Sequence, residues 1–155
     1  MAGRPYVAVA GSGAAPPEDI EAAEEVGRRL GERGAVVVCG GLAGVMEAAC
    51  RGAKSAGGAT LGVLPGLDRT DANSFVDIAV PTGLGEARNA LVVRAADALI
   101  AVGGAWGTLS EIALALRAGK RVVGIGTWEL ARGGVAVEGV IAAGGPEEAV
   151  ARALE

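Results

Sequence analysis

The residues of this chain that are best suited to chemistry lie in the segment 102–111, whose sequence is VGGAWGTLSE. An apolar run, 98–102, precedes the glycines, and apolar residues at helical spacing follow them. A strand that turns through glycines into a helix forms an anion site, because unpaired backbone N–H groups and the positive end of the helix dipole point at the turn. The segment therefore predicts a binding site for a phosphorylated small molecule.

We expect the phosphate at residues 104–108, with the Thr108 hydroxyl and backbone N–H groups as donors. A second glycine turn, 40–44, also contains no acidic residue and is expected to hold another polar part of the ligand. The first predicted helix opens with acids at positions 18, 19 and 21, which repel an anion from its N-terminus. Trp106 either stacks on the ligand or covers the turn.

Glu111 and Arg88 are the candidate catalytic residues, and each also has a purely structural interpretation. The pattern Thr108-x-x-Glu111 is that of a capping box, in which Glu111 would bond the first N–H of the helix. Glu111 also points away from the expected apolar stripe of that helix, which comprises Leu109, Ile112, Ala113 and Leu116. Arg88 lies at the entrance to a predicted helix over 84–96 and is either solvated or part of the site.

Composition excludes several classes of chemistry. The chain of 155 residues contains no histidine, which removes Ser-His-Asp and Cys-His catalysis and histidine-based metal sites. Cys39 and Cys50 have neither metal nor redox spacing and are expected to pack in the core.

A net charge of −4 without a basic run disfavours nucleic acid as a partner. No apolar run is long enough for a membrane span and no signal-peptide pattern occurs, which predicts a cytoplasmic protein.

Short apolar runs alternate with helical segments along the chain. Strands are predicted over 6–10, 35–39, 60–64, 76–80, 98–102 and 121–125, and helices over 17–33, 44–56, 84–96, 108–118 and 146–154. Several strands are apolar throughout, as in parallel sheets that are covered on both faces. The pattern predicts one α/β domain over 1–155, a Rossmann-like, doubly wound parallel sheet of six or seven strands.

Ligands of such sheets bind beyond the carboxyl ends of the strands, where this chain concentrates its glycines. The resulting candidate binding residues are Gly11, Ser12, Gly40, Gly41, Gly44, Gly103, Gly104, Trp106, Gly107 and Thr108. The dinucleotide fingerprint is not met, because Pro16 stands where its third glycine is required and the second strand does not end in an acid. With no Walker A sequence either, neither NAD nor ATP is expected in the usual mode.

The helices predicted over 84–96 and 108–118 are apolar on almost every side. Such helices must be covered on both sides, and in a short chain a second copy is the simplest cover. We therefore expect a homodimer built on these two helices, with a tetramer left open.

The motif Gly103-Gly104-x-x-Gly107-Thr108-x-x-Glu111, with Arg88 before it and Gly40-Gly41-x-x-Gly44-Val-Met46 earlier, resembles the lonely-guy superfamily over about residues 6–126. Its members, also called lysine decarboxylase-like, include cytokinin riboside monophosphate phosphoribohydrolases and molybdenum cofactor carrier proteins. The resemblance implies that Gly104, Gly107 and Thr108 bind a 5′-phosphate. It also implies that Glu111 stabilises an oxocarbenium-like transition state or orients water, while Arg88 assists at the ribose or base.

Two positions depart from the phosphoribohydrolase pattern. Val102 replaces the first proline of the motif, and Asn89 replaces the lysine that follows the arginine. These two residues bring the chain closer to the carrier branch and its uncharacterised bacterial relatives.

Two hypotheses for the function therefore remain. The first is binding, without turnover, of a nucleotide or a molybdopterin-type cofactor. The second is a phosphoribohydrolase acting on AMP or a modified AMP. No cofactor is expected to be required, and a molybdopterin or nucleotide is the expected ligand. Pyridoxal phosphate chemistry is not expected, because Lys54 and Lys120 lie away from the strand ends.

Overall fold

A computed structural model describes residues 3–155. The strands are β1 (Tyr6–Gly11), β2 (Val36–Cys39), β3 (Ala59–Leu64), β4 (Ile78–Pro81), β5 (Ala98–Val102), β6 (Arg121–Ile125), β7 (Ala131–Arg132), β8 (Val135–Ala136) and β9 (Val140–Ala142). The α-helices are α1 (Pro17–Glu32), α2 (Val45–Ser55), α3 (Asn89–Ala95), α4 (Trp106–Arg117) and α5 (Pro146–Ala153). Two 3₁₀ turns, Arg69–Asp71 and Gly85–Arg88, complete the regular structure of the described residues.

Seven parallel strands form one sheet in the order β4-β3-β2-β1-β5-β6-β9, which confirms the predicted doubly wound α/β fold. The strand order reverses between β1 and β5, which pair in register from Val7 opposite Ala98 to Gly11 opposite Val102. Ligands of doubly wound sheets bind in the crevice beside such a reversal. The carboxyl ends of β1 and β5 are therefore the expected place for a site.

Alternate residues of the central strands enter two separate cores, one on each face of the sheet. Val7 and Val9 of β1 pack with α1, α2 and α5, whereas Ala8 and Ala10 pack with α3 and α4. Because both faces are covered, the strands contain no polar alternation, which explains their continuous apolar sequence. Among residues 3–155, no helix has both the length and the hydropathy that crossing a membrane requires.

Several predicted element bounds are corrected at the edges of the sheet. The strand predicted over 76–80 is Ile78–Pro81, because Asp77 is bound to Thr60 by side-chain hydrogen bonds and does not enter the strand ladder. The last strand, β9, was not predicted, since only Val140, Ile141 and Ala142 form it. Gly133 and Gly134 lie between β7 and β8, which pair as a small antiparallel hairpin outside the main sheet.

The helix predicted over 84–96 is a 3₁₀ turn followed by α3, and the helix predicted over 108–118 begins earlier, at Trp106. Its first backbone bond runs from the Leu109 N–H to the Ala105 carbonyl. Thr108 is therefore inside the helix, no side chain caps it, and the predicted capping box is wrong. The predicted apolar stripe is confirmed only for Ile112, which is buried, and for Leu116, which packs partly buried against the same core. The other buried residues of α4 are Thr108, Glu111 and Ala115.

Candidate functional site

A cavity of about 780 Å³ opens at the carboxyl ends of β1 and β5. The end of β1, the start of α3 and the first two turns of α4 form its walls. Of the residues singled out in the sequence, it is lined by Gly11, Ser12, Arg88, Trp106, Gly107, Thr108 and Glu111. The remaining lining residues were not predicted as site residues: Val9, Ala10, Gly13, Met46, Glu86, Ala87, Asn89, Ala90, Ala105, Ser110 and Leu114. Its volume falls in the range of small-molecule sites, roughly 300–1,000 Å³.

The N-terminus of α4 opens into this cavity without a cap. Ala105 occupies the N-cap position and has no side chain that accepts a hydrogen bond. Within residues 3–155, the N–H groups of Trp106, Gly107 and Thr108 have no protein acceptor. Thr108 is 3% exposed, and an added Cβ on Gly107 would have no neighbour closer than 3.9 Å. Free donors and open space together make this turn suitable for an anion.

The carboxylate of Asp19 disfavours an anion at the Gly103-Gly104 part of the turn. An added Cβ on Gly103 would lie 2.1 Å from the Asp19 carboxylate oxygen Oδ2, so this acid from α1 lies directly against the Gly103-Gly104 turn. Burial, together with the charge of Glu18, raises the pKa of Asp19. Gly103 and Gly104 line a separate shallow depression with Asp19 and not the main cavity. Within the segment 103–108, the part that favours a phosphate is therefore Trp106–Thr108. The role of Gly103 and Gly104 in binding stays a prediction.

Glu111 is buried in the cavity wall, with 7% of its surface exposed. No hydrogen bond or ion pair to its carboxylate occurs among the described residues. Burial raises the pKa of Glu111 from 4.5 to about 7, and the positive charge of Arg88 offsets part of that increase. A buried, unpaired carboxyl that titrates near neutrality is costly for folding, and such groups concentrate at functional sites.

Arg88 is held in place by the carboxyl ends of two strands. Its Nε donates to the Val63 carbonyl at 2.8 Å, and one terminal nitrogen donates to the Gly40 carbonyl at 3.4 Å. Its other terminal nitrogen donates to the side-chain oxygen of Asn89. These bonds fix the guanidinium at the cavity wall, so Arg88 is not a freely solvated surface arginine.

Asn89 connects the two sides of the cavity. It is 6% exposed, accepts from Arg88, and donates through Nδ2 to the Ser110 hydroxyl at 3.0 Å. That hydroxyl in turn donates to the Gly107 carbonyl at 2.6 Å. Sequence reasoning noticed Asn89 only as a departure from the hydrolase motif. The sequence contains a signal for this role. Asn89 is a polar residue directly before the apolar residues 90–93, and a polar side chain in such a place requires hydrogen-bond partners once it is buried.

The glycine turn after β2, residues 40–44, packs against residues of the site without lining the cavity. Gly40 makes room for Arg88, since an added Cβ would lie 2.5 Å from a guanidinium nitrogen. The carbonyl of Gly41 accepts from the Asn73 backbone, and Gly44 passes so close to Ser12 that an added Cβ would lie 2.2 Å from its carbonyl oxygen. None of the three glycines lines the cavity. Their expected contact with a polar part of the ligand stays a prediction.

The first strand end contributes backbone to the cavity. Gly11 permits α2 to approach β1, because an added Cβ would lie 2.6 Å from the Val45 side chain. Ser12 accepts the Val45 N–H at its carbonyl, and its hydroxyl accepts the N–H of Ala14. Both residues line the cavity, and their predicted contact with a ligand stays a prediction.

The two cysteines lie in the core beneath the site, which confirms the packing interpretation. Both are fully buried, and their sulfur atoms are 3.5 Å apart. Cys39 also accepts the Gly41 N–H at 3.3 Å. The hydrogen bond from Cys50 lowers the pKa of the Cys39 thiol, and that of Cys50 is raised by the same contact and by burial.

Trp106 lies at the rim of the cavity and is 75% exposed. Its ring centroid is 5.1 Å from that of Trp128, with the planes tilted by 33°. Trp128 donates its indole N–H to the Ala105 carbonyl at 3.2 Å. This second tryptophan was not singled out in the sequence, since it lies 22 residues further along the chain in the loop after β6.

Solved structures with the same fold include molybdenum cofactor proteins. The molybdenum cofactor binding protein from the phototrophic bacterium Rippkaea orientalis is 34% identical, with a TM-score of 0.87 over 97% of this chain and 96% of that one. The Moco carrier protein from Chlamydomonas reinhardtii is 37% identical, with a TM-score of 0.84 over 96% of this chain and 94% of that one. Both similarities extend over nearly the whole of each chain.

Sequence comparison agrees with this relationship. An uncharacterised protein from Archaeoglobus fulgidus is 44% identical over 144 residues, which span 93% of this chain and 91% of the relative. The model of the SLOG cluster4 family matches residues 4–150. The resemblance to the lonely-guy superfamily, and to its carrier branch, is confirmed by these matches. The chain belongs to the SLOG cluster4 family.

Proposed function

We propose that this protein binds a phosphorylated small molecule of the nucleoside monophosphate or molybdopterin type, with the phosphate at the N-terminus of α4. The observation that carries the proposal is the uncapped first turn, where three backbone N–H groups open into a cavity of about 780 Å³. The Thr108 hydroxyl adds a fourth donor. Helix N-termini of this kind favour anions through their free N–H groups and the helix dipole.

A molybdopterin-type ligand is the favoured member of this class. The names of two structural relatives refer to the molybdenum cofactor, and this chain shares the carrier-like Asn89 after Arg88. Such a ligand combines a flat pterin with a terminal phosphate, so it requires an anion site beside a roomy, mainly apolar pocket. The N-terminal turn of α4 and the cavity walls fit both requirements. Arg88 and Glu111 would lie beside the part of the ligand next to the phosphate.

Titration calorimetry with AMP, ribose 5-phosphate and inorganic phosphate tests this assignment. Thr108→Val keeps the shape of the side chain and removes one donor, so all three ligands should bind several-fold more weakly. Thr70→Val is the matched control in the exposed 3₁₀ turn Arg69–Asp71, outside the cavity, and should bind as the wild type does. Failure of every phosphorylated ligand to bind, or equal binding to both variants, would contradict the proposed phosphate site.

The second candidate function is a phosphoribohydrolase that releases the base from AMP or a cytokinin riboside 5′-monophosphate. The unpaired, buried Glu111 favours it, because a carboxylate beside a developing oxocarbenium ion stabilises the positive charge of the transition state. In this mechanism the α4 turn holds the 5′-phosphate, Glu111 faces the ribose or orients the attacking water, and Arg88 contacts the ribose or base.

Incubation with AMP and N6-isopentenyl-AMP, followed by chromatography for free base, separates the two functions. Base released by the wild type and not by Glu111→Gln would make the protein a hydrolase. Glu86→Gln is the matched control, since Glu86 is an exposed carboxylate on the same cavity. Bound nucleotide without released base would assign the protein to the carriers.

A second copy of this chain is the partner we propose. Three leucines on and beside α3 and α4 are exposed: Leu84 (54%), Leu91 (41%) and Leu114 (36%). Burial of this surface against the same surface of another copy would form a two-fold dimer, and two such dimers would form a tetramer. Nucleic acid and membranes are not among the partners proposed.

A further inference from the structure

We propose that Trp106 is a stacking platform for a planar, fused heteroaromatic ring of the purine or pterin class, and that Trp128 holds the platform in place. The inference deepens the proposed function and rests on its phosphate site at Trp106–Thr108. It concerns a different part of the ligand, the ring system and not the phosphate.

The two indole rings form a supported pair. Their centroids are 5.1 Å apart, and the indole N–H of Trp128 donates to the carbonyl of Ala105, the residue immediately before Trp106. The loop that carries Trp128 is itself tied to the turn, because the Thr127 hydroxyl donates to the Gly103 carbonyl at 2.5 Å. Trp128 is thus anchored to the backbone of the α4 turn and covers one side of Trp106.

The other side of Trp106 remains free. The residue is 75% exposed while it lines the main cavity, so its ring contributes little to the hydrophobic core. These are the two tryptophans of the chain, and the composition is otherwise poor in aromatic residues, with one tyrosine and one phenylalanine. A large ring that is held in place but left uncovered is suited to bind another flat ring with little further loss of conformational freedom.

The position of Trp106 relative to the phosphate donors defines the ligand. Trp106 is the first residue of α4, and the free N–H groups of Gly107 and Thr108 lie in the same turn. A ligand that places its phosphate there can therefore stack its ring on the indole when a short linker joins the two. Nucleoside monophosphates and phosphorylated pterins have this arrangement, whereas ribose 5-phosphate has the anion without the ring.

Calorimetric titrations of the wild type, Trp106→Ala and Trp106→Phe test the platform. The probes are AMP, ribose 5-phosphate and unphosphorylated pterin. We expect Trp106→Ala to weaken AMP and pterin on the order of ten-fold, and ribose 5-phosphate less than about two-fold, since stacking on an aromatic ring contributes on this scale. Trp106→Phe retains a ring and should recover most of the affinity. Ring-bearing ligands should also quench the tryptophan fluorescence of the wild type.

The outcomes separate this inference from the proposed phosphate site. Pterin binding that depends on Trp106, without any binding of ribose 5-phosphate, would support the platform and contradict the phosphate site. Equal loss of AMP and ribose 5-phosphate in Trp106→Ala, or no loss of AMP or pterin, would overturn the platform, as would a wild type that binds none of the probes. Sedimentation of the same variants tests the alternative that Trp106 lies in a contact between subunits. If Trp106→Ala dissociates an oligomer and leaves ligand affinity unchanged, the exposed ring is a subunit contact and the inference is wrong.

Discussion

The side-chain amide of Asn89 donates a 3.0 Å hydrogen bond to the hydroxyl of Ser110, and this bond connects α3 to α4 at the mouth of the cavity. Through its oxygen, the same amide accepts from Arg88, whose guanidinium is bound to the ends of β2 and β3. A continuous chain of hydrogen bonds therefore runs from the strand ends to the first turn of α4. Asn89 thus links that turn to the strands, although it is not among the groups proposed to bind the phosphate.

Replacement of Asn89 by leucine should loosen this connection. The variant removes the acceptor of Arg88 and the donor to Ser110 in a buried place, so we expect a loss of about 1–3 kcal/mol in the free energy of unfolding and weaker phosphate binding. Urea denaturation and calorimetry measure the two effects. Ser110→Ala leaves the Arg88 contact intact and should lose less. A variant as stable and as tight-binding as the wild type would show that the bridge is unimportant.

Gly107→Ala tests the anion site without disturbing the fold. An added Cβ would meet no atom closer than 3.9 Å and would project into open space at the turn, so the alanine should be tolerated or slightly stabilising in the helix. The methyl group would still obstruct the close approach of a phosphate to the backbone. We expect several-fold weaker phosphate binding at unchanged thermal stability. Unchanged affinity would contradict a phosphate at Gly107.

The pH dependence of anion binding should report on Glu111. Its pKa is raised from 4.5 to about 7, so the carboxyl is neutral at pH 5 and charged at pH 9. Sulfate keeps its charge over this range, and its affinity should fall as pH rises through about 7, because the ionised carboxylate repels it. Calorimetry with sulfate measures this decrease, which should be absent in Glu111→Gln. The same pH dependence of sulfate affinity in the wild type and in Glu111→Gln would contradict its attribution to Glu111.

The same raised pKa predicts the sign of a stability effect. Between pH 4.5 and about 7 the unfolded chain releases the Glu111 proton while the folded chain retains it, so the stability of the wild type falls with rising pH in this window. The full difference is on the order of 3 kcal/mol. Urea denaturation of Glu111→Gln at pH 5 and pH 8 should therefore show a larger gain over the wild type at pH 8 than at pH 5. A gain of equal size at both values would contradict the raised pKa.

Disruption of the exposed leucines should change the oligomeric state. Leu91→Glu introduces a charge on the exposed side of α3, which is tolerable in a monomer and costly inside a dimer interface. We expect the wild type to sediment as a dimer or larger and the variant as a species of 15.1 kDa. Val135→Glu is the matched control, since Val135 is exposed on the β7-β8 hairpin and not on α3 or α4, and it should sediment as the wild type does. A wild type found only as the monomer would exclude the proposed interface.

Sequence alone determined the layers of this protein and indicated the edge of the sheet at which its candidate site lies. The apolar strands alternate with helices, which dictates a parallel sheet covered on both faces, and glycines after the strands mark its carboxyl edge. The motif that ends in Thr108 and Glu111 identified the superfamily and indicated the turn that is proposed to bind an anion. These inferences were possible because strand periodicity and glycine turns are local properties of the chain.

Tertiary structure decided which residues meet at that edge. The stripe predicted for α4 pointed Glu111 away from the core. Because apolar residues lie on nearly all sides of this helix, only its docking against α3 and β5 sets the rotation that buries Glu111. Asp19 reaches Gly103, and Trp128 reaches Trp106, from elements remote in sequence. Contacts of this kind depend on strand order and on the packing of whole helices, which no local pattern contains.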